Sequence, residues 1–306
     1  MRLVFAGTPE VALPSLEAVV ASDHDVVAVI TRPDAPAGRG RSLRPSPVGE
    51  RAAELGLEVL KPTKPGDADA VARLTELRPD CCPVVAYGAL VPQRVIDIPT
   101  HGWVNLHFSL LPRWRGAAPV QHAVMAGDAE TGACTFSLVK AMDAGPVYDT
   151  ITAPIDRDTT AGDLLESLAH DGAQLLVRTL DAIDAGTAVA TDQPADGVTM
   201  APKITVEDAR VDWHRTAVEI DRQLRGCSPF PGGWTTFRDA RFKINSARPT
   251  GGAAAPGKLI VAKSGVAVGT GDGLLELGTI QPQGKKAMAA ADWARGVQFS
   301  DDEALV

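Results

Sequence analysis

"RLVFAGTPEVALPSLEAVVASDHDVVAVIT" (residues 2–31) reads as strand, helix and strand. Its ends, RLVFAG and DVVAVIT, are β-branched and apolar, and PEVALPSLEAVVAS between them is a helix candidate. The alternation then continues. SPVGERAAELG reads as a helix, LEVLKP as a strand, DADAVARLTELRPD as a helix, and CCPVVAYG and GWVNLHFS as further strands. A βαβα order predicts a Rossmann-like, mostly parallel α/β sheet with helices on both faces. Ligands of such sheets lie just beyond the carboxyl ends of the strands.

The chain has 306 residues, 45% of them apolar and 22% charged, which predicts a soluble protein of about two domains. Its apolar runs, such as VVAVI and CCPVVAYGALVP, fall short of the ~20 residues that span a bilayer. The first ten residues read as a strand rather than a leader. No membrane partner and a cytoplasmic location are therefore expected. Cys81, Cys82, Cys134 and Cys227 show no zinc spacing, and no metal is expected. The net charge of −8 is unevenly distributed: residues 1–206 hold 17 Lys and Arg against 26 Asp and Glu, whereas residues 207–306 hold 13 against 12. Such asymmetry suits a C-terminal part that meets a polyanion, and equally an ordinary solvated surface.

Residues 160–186 form a leucine-rich amphipathic helix, opened by Thr160 and Asp163 in the manner of a capping box and closed by Gly186. Periodicity is then lost, which predicts a first domain over 1–186 and a linker over 187–206. From 207 to 306 a helix (RTAVEIDRQLRG) precedes short apolar runs parted by Gly and Pro, as in a small OB-like β-barrel.

Near the end of the fifth predicted strand, VNLHFSLLPRWRGAAPVQ (104–121) sets Asn105, His107 and Ser109 between apolar Val104, Leu106, Phe108 and Leu110. Alternate side chains of a strand share a face, so an amide, an imidazole and a hydroxyl would line one pocket. A lone histidine is more often structural; with these neighbours at a strand end it becomes a site candidate. Asp143, in the Gly- and Pro-bearing stretch MDAGPVYD, is its nearest candidate carboxylate, although spacing alone favours a turn-forming role. No G-x-S-x-G, G-x-G-x-x-G or paired metal-ligand spacing is present. An amide, an imidazole and a carboxylate without a nucleophile suit acyl transfer to an external amine.

FAGTPE, RPDAPAGRGRSLRPSPV, VVAYG, NLHFSLLPRWRGAAPVQ, MDAGPVYD, EDARVDW and TGDGLLELGTIQPQGKKAM stand in the order seen in methionyl-tRNA formyltransferases, a folate-dependent family that the chain resembles over nearly its whole length. The resemblance implies transfer of formyl from 10-formyltetrahydrofolate to methionyl initiator tRNA, without a metal. It implies Asn105, His107 and Asp143 as the catalytic set. It also implies donor binding by Ser109, Leu110, Leu111 and Pro112, with backbone at Val85, Ala86, Tyr87 and Gly88. The basic loop at 32–48, with Arg39, Arg41 and Arg44, would contact the tRNA acceptor end, Arg39 foremost. Arg238, Arg241, Lys243, Lys285 and Lys286 would hold the acceptor arm, and Trp114 would stack on a base or pack its loop. A monomer with a mobile loop is expected. Phe108 and Ala144 depart from the family's usual small residue and Thr. A small-amine or water acceptor, and a non-catalytic RNA-binding protein on the same scaffold, remain as alternatives.

Overall fold

In the computed structural model, which describes residues 1–37, 42–262, 265–300 and 302–306, strand β1 (Arg2–Gly7) lies in the interior of a seven-stranded sheet. Leu3, Val4, Phe5 and Ala6 are fully buried, as a run apolar on both faces demands. After β1 come α1 (Leu13–Val20), β2 (Asp25–Ile30), a short hairpin of β3 (Ala35–Ala37) and β4 (Ser42–Arg44), α2 (Pro47–Glu54) and β5 (Glu58–Leu60). The chain continues through α3 (Ala68–Leu77), β6 (Cys82–Val85), α4 (Gln93–Ile96) and β7 (Trp103–His107). Strands β5, β2, β1, β6 and β7 are parallel neighbours in that order.

The connections run outward from β1 in one direction to β5, then in the other through β6 and β7. The switch point therefore lies between β1 and β6, where loops leaving adjacent strands diverge and open a crevice. Thr8 and Tyr87 flank it, joined by a hydrogen bond from the Thr8 hydroxyl to the Tyr87 carbonyl at 2.8 Å. His107 closes the next strand along the same edge.

Beyond β7 the sheet departs from the parallel pattern. After β8 (Arg115–Gly116) and α5 (Pro119–Ala126), strands β9 (Glu130–Ser137) and β10 (Val147–Pro154) add as an antiparallel pair, β9 against β7. Helices flank both faces. Val4, Ala6, Ala28, Ile30, Cys82, Val84 and Trp103 pack with Leu74 and Leu77 of α3 and Val95 and Ile96 of α4. Leu106, whose parity is opposite to Trp103, meets Gly172 of α6 (Ala161–Asp184). Truncating such a fully enclosed leucine costs about 2–5 kcal/mol. All four cysteines are buried and free, and burial pushes the Cys81 and Cys134 thiols up to about 12.

The chain divides into two compact units: residues 1–119, 130–154 and 165–201, and residues 120–129, 155–164 and 202–306. The expected linker at 187–206 is thus split, with 187–201 built into the first unit. No apolar period announces this, because polar and backbone bonds hold the segment. Thr191 and Val147 exchange backbone hydrogen bonds at 2.8 Å, and β11 (Met200–Ala201) pairs with β8.

In the second unit, α7 (Ala217–Gly226) opens with a capping box in which Thr216 and Glu219 each satisfy the other's backbone N–H. Thr160 and Asp163 make the same exchange with a shorter acid. Two antiparallel four-stranded sheets follow. One comprises β12 (Trp234–Phe237), β13 (Ala240–Ile244), β18 (Thr279–Pro282) and β19 (Met288–Ala289). The other comprises β14 (Ala247–Thr250), β15 (Leu259–Ala262), β16 (Gly265–Gly269) and β17 (Leu274–Leu277). Both sheets, α7 and α8 (Ala290–Arg295) share one core around Phe242, Ile244, Val266, Leu275, Ile280 and Trp293.

Candidate active site

Asn105 and His107 lie two residues apart on β7 and so share a face of the strand. His107 is 6% exposed, with the ring of Phe136 edge-on at 6.2 Å. Its Nε2 is 2.9 Å from the Trp114 carbonyl. A carbonyl oxygen only accepts, so Nε2 carries the hydrogen and Nδ1 is bare in the neutral ring. That bare nitrogen faces Asp143 Oδ2 at 3.8 Å, beyond direct hydrogen-bond length. Trp114, rather than Asp143, therefore sets the tautomer. The carboxylate stands opposite the nitrogen that can take up a proton.

Burial lowers the affinity of His107 for a proton below that of an ordinary imidazole, while the Asp143 charge and the Trp114 carbonyl partly restore it. The ring is neutral near pH 7 and has a stabilising anion beside it. Asp143 sits at φ 47°, and its Oδ2 accepts from the Gly116 N–H at 2.7 Å. Gly116 has a φ of 130°, and a Cβ there would press on the Ala201 carbonyl, so only glycine presents this N–H. At Gly145 a Cβ would overlap the Ser137 carbonyl, which fixes the base of the Asp143 turn.

Ser109 departs from the expected row. β7 ends at His107, and the fully buried Ser109 hydroxyl donates to the Arg113 carbonyl at 2.7 Å, closing its own turn. Phe108 is buried, and Leu110, Leu111 and Pro112 are half-buried along the same turn. Trp114, at φ 62°, contributes its backbone to the site, and the Arg113 guanidinium covers its indole at 4.5 Å. Val85 ends β6 in the core. Ala86 and Gly88 follow with φ of 47° and 80°, on either side of the buried Tyr87. Nothing lies within 4 Å of a Cβ built on Gly88, so this irregular backbone borders open space at the switch point.

Sequence reasoning missed two contributors. Gln193 donates from Nε2 to the carbonyls of Asp143 and Gly145, each at 2.8 Å, and accepts from Arg115 through Oε1. Thr199 accepts the Trp114 N–H at 2.8 Å. Both lie in the aperiodic segment, where no pattern marks a contact with a distant turn.

The basic candidates are dispersed. Arg44 is exposed on β4, whereas Arg39 and Arg41 lie outside the described residues. In the second unit, the exposed Arg238 is paired with Glu303, whose carboxyl it pulls down to about 2, and also donates to the Gln298 carbonyl. Its guanidinium is thereby committed within its own unit. Arg241 lies over the Trp234 ring at 4.1 Å, with Arg210 at 5.5 Å. Lys243 pairs with Trp234 in β13, and Lys285 and Lys286 are exposed in the turn after β18.

Residues 1–180 match the formyl transferase family model, and residues 203–298 match the formyl transferase C-terminal domain. A methionyl-tRNA formyltransferase of Streptomyces griseus is 60% identical over all of this chain and 99% of its own length. That of Thermobifida fusca is 59% identical over 99% of this chain and 98% of its own. Among solved structures, the sugar 3N-formyl transferase WlaRD superposes with a TM-score of 0.69 at 16% identity, covering 94% of this chain and 99% of its own, a likeness of fold. Aquifex aeolicus HypX gives 0.67 at 18% over 98% of this chain and 49% of its own. Full-length identity of this order, on two units that each match a formyl transferase domain, makes the chain a member of the methionyl-tRNA formyltransferases.

Proposed function

We propose that the protein transfers the formyl group of 10-formyltetrahydrofolate to the α-amine of methionine esterified to initiator tRNA, with Asn105, His107 and Asp143 at the reacting atoms. The observation that carries this reading is the bare Nδ1 of a neutral, buried His107 facing Asp143 at 3.8 Å, on the strand face that also bears Asn105. The attacking amine must be uncharged and must lose a proton as it is acylated. His107 Nδ1 takes up that proton, Asp143 stabilises the imidazolium that results, and the proton is handed to the folate N10 as the formyl C–N10 bond breaks and tetrahydrofolate leaves. The Asn105 side-chain N–H₂ donates to the formyl oxygen as charge develops on it. Neither step needs a covalent intermediate on the protein.

Binding of the folate is assigned to the backbone of Val85–Gly88 and to Ser109–Pro112. The open space beside Gly88, and backbone groups freed from strand pairing by positive φ at Ala86 and Gly88, suit a flat heterocycle with several donors and acceptors. The bound donor supplies an activated formyl group. The tRNA is assigned to Arg39, Arg41 and Arg44 of the first unit and to Arg241, Lys243, Lys285 and Lys286 of the second. The Arg210–Trp234–Arg241 stack adds a rigid cationic patch suited to phosphate. Arg238, held by Glu303, supports the second unit's own packing. The protein acts as a monomer in the cytoplasm.

Methionyl initiator tRNA and 10-formyltetrahydrofolate are incubated with the wild type and with His107→Ala, and the products are resolved on an acid gel. Formylated tRNA from the wild type alone supports the reading. Folate turnover without formylated tRNA contradicts the acceptor, and bound tRNA without any turnover contradicts the chemistry.

A further inference from the structure

Two turns must be aligned before His107 and Asp143 can act together. One, at 109–116, brings the Trp114 carbonyl to His107 Nε2 and the Gly116 N–H to Asp143 Oδ2. The other, at 138–146, carries Asp143 itself. Trp114 and Asp143 both have left-handed backbones at non-glycine residues, at φ 62° and 47°. Such conformations are strained for residues with a Cβ and persist only where their surroundings hold them.

A single segment, 187–201, ties the two turns. Thr199 Oγ1 accepts the Trp114 N–H at 2.8 Å, and the Thr199 carbonyl accepts the Arg115 N–H at 2.9 Å. Gln193 Nε2 donates to both carbonyls of the other turn, those of Asp143 and Gly145. The Gln193 Oε1 takes Arg115 Nε at 3.1 Å and Nη2 at 2.6 Å. Every donor and both lone pairs of this amide are engaged. Its orientation is forced, because carbonyls only accept and a guanidinium only donates. No other side chain of similar size satisfies both turns. Glutamate lacks the donors, and methionine lacks donors and acceptors alike.

From this we infer that Gln193 and Thr199 are positioning residues of the formyl transfer, and that the segment joining the first unit's helical end to residue 201 is part of the catalytic apparatus. The inference rests on the proposed roles of His107 and Asp143. Thr199 acts through Trp114 on the ring of His107. Gln193 acts through the Asp143 backbone on the carboxylate. Loss of either leaves the reacting groups present and their spacing loose. Misplacement by about 1 Å is enough to cost on the order of 10²-fold in rate.

The test uses the full-length enzyme, as wild type, Gln193→Met, Thr199→Val, Thr199→Ser and His107→Ala. Single-turnover formyl transfer, tRNA dissociation constant, melting temperature and the titration of His107 by side-chain NMR are measured on each. Asp143 is the charged group facing the ring. Cys134, paired with His107 across β9, is neutral with its thiol pushed up to about 12. Gln193→Met and Thr199→Val are expected to lose ~10- to 100-fold in the single-turnover rate, with tRNA affinity within about twofold. Thr199→Ser, which keeps the accepting oxygen, recovers most of the loss. In Gln193→Met the His107 midpoint moves further down as the carboxylate drifts away. A purely structural tether would lower the melting temperature and leave that titration where it was.

Rates within about twofold of wild type in both Gln193→Met and Thr199→Val, beside a large loss in His107→Ala, overturn this inference alone. A near wild-type rate in His107→Ala removes the reading beneath it. Should Gln193→Met fail to fold, the Thr199 pair decides: a loss in Val that Ser does not rescue contradicts the inference.

Discussion

At His107 the decisive quantity is a balance between burial, which favours the neutral ring, and the Asp143 charge, which favours the protonated one. Burial wins in the resting protein, so the free enzyme is expected to titrate at this ring below the usual 6.5. Asp143→Asn removes the charge that supports protonation, so it lowers the midpoint further; side-chain NMR reads both shifts. The sign for stability follows. The unfolded chain binds this proton at a higher pH than the folded one. The stability supplied by the neutral ring is therefore full above about 6.5 and declines as pH falls toward the folded midpoint. Asp143→Asn is expected to cut turnover by ~10²–10³-fold with tRNA binding retained, checked by kcat beside a binding isotherm. Asn105 and His107 were legible because strand parity is written into sequence. The identity of the tautomer-setting group was not, because it is a backbone carbonyl on a left-handed residue that no side-chain pattern marks.

The elements differ in how much of their reason for existing lies in their own residues. Strands β1, β2, β6 and β7 were visible as apolar runs and helices α3, α6 and α7 as apolar periods, since each must bury apolar surface. The antiparallel turn of β9 and β10 was not, for direction depends on what the chain does between strands. The segment at 187–201 was misread as a linker because Gln193 and Thr199 hold it by polar bonds that have no period. Gly145→Ala forces the Asp143 turn off the Ser137 carbonyl, so a loss of about 1–3 kcal/mol is expected together with a fall in kcat, read by urea unfolding and by turnover. Thr216→Ala breaks the capping box of α7. It is expected to cost about 1 kcal/mol by urea unfolding while leaving the His107 titration unchanged.

For the whole molecule, net charge alone misleads. A chain at −8 overall would be a poor partner for nucleic acid, yet its second unit departs from that balance, and a tRNA acceptor needs only local cations. The logarithm of apparent tRNA affinity is accordingly expected to fall linearly with the logarithm of salt concentration. Each phosphate-contacting cation contributes about one unit of slope. Arg241→Ala or Lys243→Ala reduces that slope, whereas Arg238→Ala, already neutralised by Glu303, leaves the slope unchanged; filter binding across a salt series checks this. Two-domain organisation was legible from chain length, but the position of the boundary was not, because contacts rather than hydrophobic periods decide where one unit stops. The most direct measurement of the central claim is the single-turnover rate of formyl transfer with enzyme in excess over methionyl initiator tRNA and donor saturating, in wild type and His107→Ala. A loss of ~10²-fold or more with the tRNA dissociation constant unchanged is expected, and a rate within about twofold of wild type would contradict a role for His107 at the reacting atoms.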